Sequence, residues 1–457
     1  MNADDTCLSG CVLQRTAEAE REAMARLRVL VLAQGANPDS ICGPLIAYSQ
    51  AQALAQLHEV TLVIGASNEE SVRRKQGALH SVEVIRSPLD EFLSWSIKQI
   101  FKSNYNNQLL QVFLRPFSVL FEWQAWRQIK GRVGAGEFDI VLRLLPISMI
   151  SLSPFAFALR NSSVPLLVGP VNGGLPWPAG FRQAKIQNKW VTRLRKLFPL
   201  LPFGRSTYRR AAAIIAGSSH AYAQLRAHND KLFFLPENGI DSAMCSSELR
   251  RRRSGAKLEL IYVGSLIPLK AVDLGLRGAA PLLRAELAHL TVVGDGPERG
   301  RLEELANSLG VGGAVTFCGW LSHDMAMRKL RSADVLLFPS IRDFGGGVVF
   351  EALAHGVVPV VADFGGPGDT VRPDVGCKVS LTSESDVISQ IEKALLSLAN
   401  DEDRLSQLGQ QGVSYARECL SWDAKAQVLT TIMQWTLRRG PKPNLPPPKM
   451  PQVGFSG

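Results

Sequence analysis

The chain is predicted to be an α/β protein of two doubly wound, Rossmann-like domains that face each other across a cleft. Three observations predict it. Thirteen short apolar runs alternate with helix-like stretches, seven in the first half and six in the second. Strands alternating with helices form parallel sheets covered on both faces. At 457 residues the chain exceeds one ordinary domain, and two domains of roughly 200 residues are the natural division. Between the two sets lies "NGIDSAMCSSELRRRRSG", residues 238–255, polar with four consecutive arginines and a closing glycine. That is linker chemistry.

The strands predicted in the first half are Arg28–Ala33, Val60–Ile64, Val82–Ile85, Asp139–Leu142, Leu166–Gly169, Ala213–Ala216 and Leu232–Leu235. In the second half they are Leu258–Val263, Leu290–Val293, Val315–Cys318, Val335–Phe338, Val357–Val361 and Lys378–Val379. Past residue 383 the pattern turns helical to about Arg438. The proline-rich end, residues 439–457, is expected to be a disordered tail, and residues 1–25 a mobile polar leader.

Composition narrows the class. Apolar residues make up 46% and charged residues 20%, the profile of a globular protein with a full core. The seven cysteines are scattered, with no CxxC pair and no Cys/His cluster. Neither a disulfide framework nor a zinc site is implied, and a reducing compartment fits best. Acids at Asp4, Asp5, Glu18, Glu20 and Glu22 stand where a secretory signal needs a basic and then an apolar segment. An uncharged, mostly apolar run, Leu144–Leu159, is 16 residues with two prolines. That falls short of the ~18–20 apolar residues of a spanning helix, so it reads as core, and the protein as soluble or peripheral.

Charge is uneven. Residues 72–210 hold 21 Lys and Arg against 6 Asp and Glu, so the rest of this net +10 chain carries −5. Aromatic residues interleave with the basic ones in "FLSWSIKQIFKSNYNNQLLQVFLRPFSVLFEWQAWRQIK" and "KWVTRLRKLFPLLPFGRSTYRR". Such segments suit an anionic membrane surface or a solvated helical face. No nucleic-acid recognition motif accompanies them.

Chemistry concentrates in loops after strands, where open parallel sheets bind ligands. In "RDFGGGVVFEALAHGVVPVVADFGG", residues 342–366, Gly345, Gly346 and Gly347 open a helix, Val348–His355, between Asp343 and Glu351. Glycines there let an anion approach bare N–H groups that the helix dipole makes attractive. Glu351 leans back toward the same corner. Carboxylates accept paired hydrogen bonds from sugar diols, so a diphosphate joined to a sugar accounts for acids beside an anion site. A glycine-rich turn followed by an ordinary helix acid is the plainer reading of this stretch alone.

In "IYVGSLIPLKAVDLGL" a loop carries Lys270 into a helix, where a lysine can neutralise a leaving diphosphate or simply face solvent. In "VVGDGPERGRLEELA" Gly294, Gly296 and Gly300 miss the GxGxxG spacing, and Asp295 reads as the cap of a tight turn. Loops with Gly35 and Gly43, and with Asn172, Gly173 and Trp177, follow first-half strands and read equally as turns or as cleft walls. The histidines show no metal spacing. His355 shares a helix face with Glu351 and is expected to be buried. The DED at residues 401–403 opens a helix far from these loops and is not read as a metal motif.

Taken together, these stretches resemble the family-4 retaining glycosyltransferases of the GT-B fold, over about residues 28–437 and most strongly over 258–372. The run from Arg331 to Val371 is similar to that family's hallmark, an acid and a Glu separated by seven residues ahead of A-x-x-x-x-P-V-V. "VGSLIPLK", "GDGPE" and "FCGW" stand in the matching order. The resemblance implies an N-terminal acceptor-binding domain over 26–240, a linker at 241–256, a nucleotide-sugar domain over 257–420, and a helix at 421–438 that returns to the first domain.

It also implies roles. Lys270, Asp343 and Glu351 would be catalytic, with Lys270 opposing the diphosphate charge, Asp343 on the donor sugar and Glu351 on the ribose. Gly43, Ser265, Gly294, Gly319, Trp320, Gly345, Gly346, Gly347 and Val348 would complete the donor site, with Trp320 flanking the base. Arg143, Asn172 and Gly173 would face the acceptor. No metal and no cofactor are implied, only a UDP- or GDP-linked sugar as substrate and a glycan or lipid-linked acceptor, in cell-surface polysaccharide biosynthesis. Residues 72–210 would dock a cytoplasmic enzyme on the inner face of the plasma membrane.

Three departures stand out. Ser265 occupies the place of a common arginine, Asp343 that of a glutamate, and "FDIVLRLLPIS" lacks a frequent histidine. Losing the arginine costs about a few kcal/mol of transition-state stabilisation, with Arg143 and Arg342 as replacements. A non-catalytic binder and a sugar-nucleotide epimerase of the same fold are the alternative readings.

Overall fold

The computed structural model describes residues 26–86, 115–149, 152–178, 180–181, 206–246 and 255–448. The leader, much of the basic aromatic stretch (87–114 and 182–205), residues 247–254 of the linker and residues 449–457 lie outside them.

The first domain runs β1 (Arg28–Leu32), α1 (Gly43–Leu57), β2 (Glu59–Gly65), β3 (Ser81–Ile85), α2 (Arg115–Gly134), β4 (Ile140–Arg143), α3 (Pro154–Ala158), β5 (Leu166–Val171), β6 (Ala213–Ala216), α4 (Ser219–Gln224) and β7 (Leu232–Phe234). The second runs β8 (Leu258–Val263), α5 (Val272–Arg284), β9 (Ala288–Val293), α6 (Arg299–Ser308), β10 (Val315–Gly319), α7 (His323–Arg331), β11 (Val335–Phe338), α8 (Gly347–Ala354), β12 (Val358–Ala362), α9 (Gly365–Thr370) and β13 (Cys377–Val379). Three helices follow: α10 (Glu384–Asn400), α11 (Glu402–Tyr415) and α12 (Trp422–Thr436). All thirteen strands stand within two residues of their sequence-predicted bounds. Central strands such as β5, β11 and β12 are buried along their whole length, which is why they read as unbroken apolar runs.

Both sheets are parallel. Their orders are β3-β2-β1-β4-β5-β6-β7 and β10-β9-β8-β11-β12-β13. Chain direction across each sheet reverses once, between β1 and β4 and between β8 and β11. The loops leaving those two strands diverge to opposite faces and open a crevice at their carboxyl ends. This topology brings the loop of Lys270, after β8, opposite that of Asp343, after β11.

Side-chain caps start the later helices. Ser322, Ser383 and Ser421 accept from the third residue onward in α7, α10 and α12, and Asp401 of the DED run accepts from Arg404 N–H in α11. Asp295 lies in the tight turn between β9 and α6, not at the cap of the helix. Glu298 holds the cap position of α6 without a side-chain bond, and Asp295 accepts from Gly296 N–H and Arg299 instead. The intervening turn is too long for its carboxylate to reach the first helical amides.

Helix α12 packs on α1 in the first domain, where Ala426, Leu429, Ile432 and Met433 join the core beneath β1 and β2. His58 fastens it. Leu27 N–H donates to Nδ1 at 3.4 Å, and Nε2 lies 2.8 Å from Thr430 Oγ1, whose hydroxyl donates to Ala426 C=O. These partners require the neutral ring with its proton on Nε2. Burial first, and then Arg26, pull His58 down to about 4. The folded chain therefore binds fewer protons than the unfolded one between about pH 4 and 6.5, and stability falls as pH drops through that window. The expected loss is about 3 kcal/mol. Thermal melts from pH 7 to pH 4 test this: the fall should be shallower in His58→Gln.

The expectation of a wholly disordered tail is corrected over residues 439–448. Lys442 Nζ donates to Asp230 C=O at 2.7 Å, and Leu445 packs against the first domain's core. An anchoring lysine between prolines already biased toward extended chain accounts for this order.

Candidate functional site

Helix α8 begins where β11 ends, and its first turn is built by glycines. Gly346 caps it in the left-handed conformation at φ 61°. A Cβ on Gly345 would stand 2.2 Å from Asn238 Nδ2 and 2.9 Å from Glu237 Oε1, whereas one on Gly347 would meet nothing within 4 Å. Gly347 thus leaves the helix tip open. The second glycine pair serves the same loop from behind. A Cβ on Gly365 would strike Asp343 C=O at 2.2 Å, and one on Gly366 would strike Phe344 C=O at 2.3 Å.

Asp343 Oδ1 accepts from Gly346 N–H at 3.1 Å and from Gly345 N–H at 3.3 Å. Its other oxygen pairs with Lys270 Nζ. Burial opposes ionisation of Asp343, but the Lys270 ammonium and the two amides outweigh it and hold the carboxyl below its ordinary range. Lys270 ends a single 3-10 turn, Pro268–Lys270, and lies 5.0 Å from the Phe338 ring centre. The helix tip is therefore an anion site with a carboxylate seated in it. Glu351 stands one turn in. Burial raises its pKa, and His323 at the start of α7 works against that.

At the far end of the same sheet edge, Gly294 N–H donates to Gly319 C=O at 2.8 Å, and the adjoining Trp320 indole is 66% exposed. Gly294 needs its missing side chain because a Cβ would stand 1.9 Å from Gly264 C=O. Ser265 C=O accepts from Tyr262 Oη at 2.9 Å. Val348 is half-buried in the first turn of α8. From the opposite domain, Gly43 opens α1. Neighbouring Cys42 has its thiol pushed up by burial and feels the charges of Asp343, Lys270 and Glu237. The loop after β1 thus reaches the acid–lysine pair of the other domain.

Three sequence expectations are corrected. Arg143 is not at the acceptor face and cannot replace the missing cation. It is 1% exposed inside the first domain, paired with Glu122 of α2, whose other oxygen accepts from Ser153. Arg342 is committed elsewhere too: its guanidinium donates to Leu175 C=O at 3.0 and 3.2 Å and lies 5.3 Å from the Trp177 ring. Trp177 therefore stacks on Arg342. Asn172 is a domain strut. Its Oδ1 accepts from Ser218 Oγ and Gly173 N–H, and Nδ2 donates to Phe344 C=O at 3.3 Å. His355 is buried as expected, between Ser246 and Arg331.

Sequence reasoning missed the buried charges at the domain junction. Glu237 is 9% exposed and pushed up to about 7, first by burial, then by Asp343, with Asn172 and Lys425 opposing. Lys425 of α12 is pulled down to about 7 by burial, against the charge of Glu237, and donates to the carbonyls of Pro236 and Asn238. Asp369 accepts from Ser219 N–H across the domains at 2.8 Å, and burial raises it to about 6. The acid before Asn-Gly in "LPENGID" was the visible signal, immediately before the stretch that reads as linker. No group of His, Cys, Asp and Glu among the described residues could hold a metal ion.

Comparison with known proteins agrees with this geometry. Residues 248–414 match the family described as Glycosyl transferases group 1. The GDP-mannose-dependent alpha-(1-6)-phosphatidylinositol monomannoside mannosyltransferase of Mycobacterium tuberculosis is 29% identical over 258 residues, 51% of this chain and 66% of that protein. The D-inositol 3-phosphate glycosyltransferase of Rhodococcus jostii is 31% identical over 241 residues, 47% of this chain and 52% of that one. The chain thus spans between about half and two thirds of these relatives' length. Anabaena HepE, solved in complex with UDP, superposes with a TM-score of 0.59 at 16% identity, over 88% of this chain and 98% of that one. Two parallel α/β sheets facing across a crevice give this chain the GT-B fold, and its second domain carries the match to the glycosyl transferases group 1.

Proposed function

We propose that the protein moves a hexose from a nucleotide-diphosphate sugar to a hydroxyl of a glycan or lipid-linked acceptor, with retained configuration and without a metal. One observation carries this reading: the tip of α8 already holds an anion, the Asp343 carboxylate, between two glycine amides and Lys270. A diphosphate offers the same charge with more oxygens and would take that place, releasing Asp343 toward the attached sugar. Glu351 would then accept from the ribose hydroxyls. The leaving phosphate departs on the face where the acceptor attacks and helps take the acceptor's proton. Binding energy at the diphosphate acts mainly as leaving-group stabilisation. The names of the Mycobacterium tuberculosis relative and of the Anabaena structure contain GDP-mannose and UDP, which supports a UDP- or GDP-linked donor.

The acceptor is proposed to lie at the inner face of the plasma membrane. Leu120 and Trp123 of α2 and Phe157 of α3 are large exposed apolar groups. Arg127 covers Trp123, and Arg160 and Arg210 approach Phe157. The two helices pack through Trp126 and Phe155, whose ring centres lie 5.4 Å apart. No described helix is long and apolar enough to cross a membrane. A non-catalytic binder is the second reading, favoured by Ser265 in place of a cation and by the commitment of Arg342 to Leu175.

Glu351→Ala tests the donor site. UDP or GDP should protect the wild type from thermal unfolding and protect the variant far less, with affinity down about tenfold for one lost charged hydrogen bond. Equal protection of both would place the nucleotide elsewhere. Transfer or donor hydrolysis by the wild type separates an enzyme from a binder.

A further inference from the structure

The segment that leaves β5 does not stay with its own domain. In "NGGLPWPAGF", from Asn172 to Phe181, apolar side chains recur at Leu175, Trp177 and Phe181. Pro176 and Pro178 bias the chain between them to extended backbone, which lowers the entropy lost in laying it on a surface. That surface is the second domain. Phe181 is 6% exposed and lies within the second domain's core, and Trp177 packs against the same core. Gly180 comes so close to Thr382 that a Cβ would stand 2.0 Å from its carbonyl oxygen. Leu175 reaches the glycine pair behind α8, 3.1 Å from where a Cβ of Gly365 would be.

Two further contacts of this segment fall on the residues either side of Asp343. Before it, Arg342 gives Leu175 C=O two hydrogen bonds, at 3.0 and 3.2 Å. Its guanidinium lies between the rings of Trp177 and Phe344, 5.3 and 5.7 Å from their centres. After it, Phe344 C=O accepts from Asn172 Nδ2 at 3.3 Å. A planar guanidinium can fork onto one carbonyl and offer its face to an aromatic ring, which a lysine ammonium cannot do. Asp343 itself is held within its own domain by Lys270 and the amides of Gly345 and Gly346. The acid at the helix tip is therefore gripped on both flanks by the opposite domain.

We infer that residues 172–181 form an arm through which the first domain sets the position of Asp343, with Arg342 and Asn172 as positioning residues and Trp177 as the support of Arg342. The effect of the arm on turnover rests on the donor site proposed above; its effect on the helix tip does not.

The first test is hydrogen exchange of the full chain without ligand, followed by mass spectrometry. The Gly345 and Gly346 amides should exchange about tenfold faster in Arg342→Met and in Trp177→Leu, the change expected for one lost hydrogen bond, while β9 of the same domain exchanges as in the wild type. The second test is steady-state kinetics of transfer or donor hydrolysis. Both variants should lose about 10–100-fold in kcat, the cost of a misplacement of about 1 Å, with the donor KM within about threefold of wild type. Arg342→Lys keeps one donor for Leu175 C=O and should recover part of both effects. It also keeps the test open if Trp177→Leu misfolds.

Wild-type exchange at the helix tip in folded Arg342→Met and Trp177→Leu would overturn the inference and leave the donor site standing. Faster exchange throughout the second domain would show a merely structural role and overturn it too. A loss of kcat in Arg342→Met with wild-type kcat in Trp177→Leu would put Arg342 on the reacting atoms, and so would also overturn it. A wild type that turns over no nucleotide sugar would overturn the donor reading, and exchange alone would then decide the arm.

Discussion

Lys270→Ala is expected to lower the turnover of hexose transfer by about 10²–10³-fold, the effect of removing one preorganised group from a site of developing negative charge. Two features of the structure make the effect large. Arg342, which the sequence offers as a second cation, is turned to Leu175, and Arg143 is sealed in the first domain with Glu122. Lys270 is thus the cation that faces Asp343 at the tip of α8. Removing it also leaves the Asp343 carboxylate at the helix tip without its counter-charge. The kinetic signature should separate Lys270 from Glu351: Lys270→Ala depresses kcat more than it raises the donor KM, whereas Glu351→Ala acts chiefly on affinity. Steady-state kinetics of both variants with the preferred donor decide the matter. Turnover within twofold of wild type in Lys270→Ala would show that the leaving group is stabilised by something else.

Lys425→Ala is expected to destabilise the protein by about 3 kcal/mol, the sum of two carbonyls left without a donor and a cavity at the domain junction. The ammonium of Lys425 is buried at 1% exposure and donates to the carbonyls of Pro236 and Asn238, the segment through which the chain leaves the first domain. Its ammonium lies 5.5 Å from the Phe350 ring centre on α8 and 5.8 Å from that of Trp422 on α12. One side chain therefore ties the crossing segment, the returning helix α12 and helix α8 together. Lys425→Met keeps the stem and loses the donors, so it should recover only the packing share. Urea unfolding followed by tryptophan fluorescence reads both. Equal midpoints for wild type and Lys425→Ala would show that water satisfies those carbonyls and that the lysine holds nothing.

The legible part of this fold and site is local. Each strand carries its own burial in its composition, so Val335–Phe338 and Leu258–Val263 appear in the sequence with their ends intact. Glycines that open a helix announce themselves, because Gly346 needs a left-handed backbone and Gly345 has no room for a side chain. Lys270 and Asp343 were legible for a related reason: parallel topology puts every loop after a strand on one edge.

Direction was not legible. An arginine at the end of β4 looks the same whether it points into the cleft or inward, and Glu122, 21 residues earlier on α2, draws it inward. Trp177 looks like a ligand platform until Arg342 arrives from the other domain to stack on it. Gln50 and Lys425 sit inside amphipathic patterns where a polar residue implies solvent, and Glu237 stands just before a run that reads as linker. Only the packing of α1, α12 and the crossing segment against one another buries all three.

The sequence by itself determined two parallel α/β domains and the helix-tip anion site, since backbone preference and apolar patterning act within a few residues of each position. Tertiary structure alone decided which charges are buried, which cation faces Asp343, and where unpartnered polar atoms converge. Those depend on groups far apart in the chain meeting in a medium with little water, where an unpaired charge or hydrogen bond costs far more than it does at the surface.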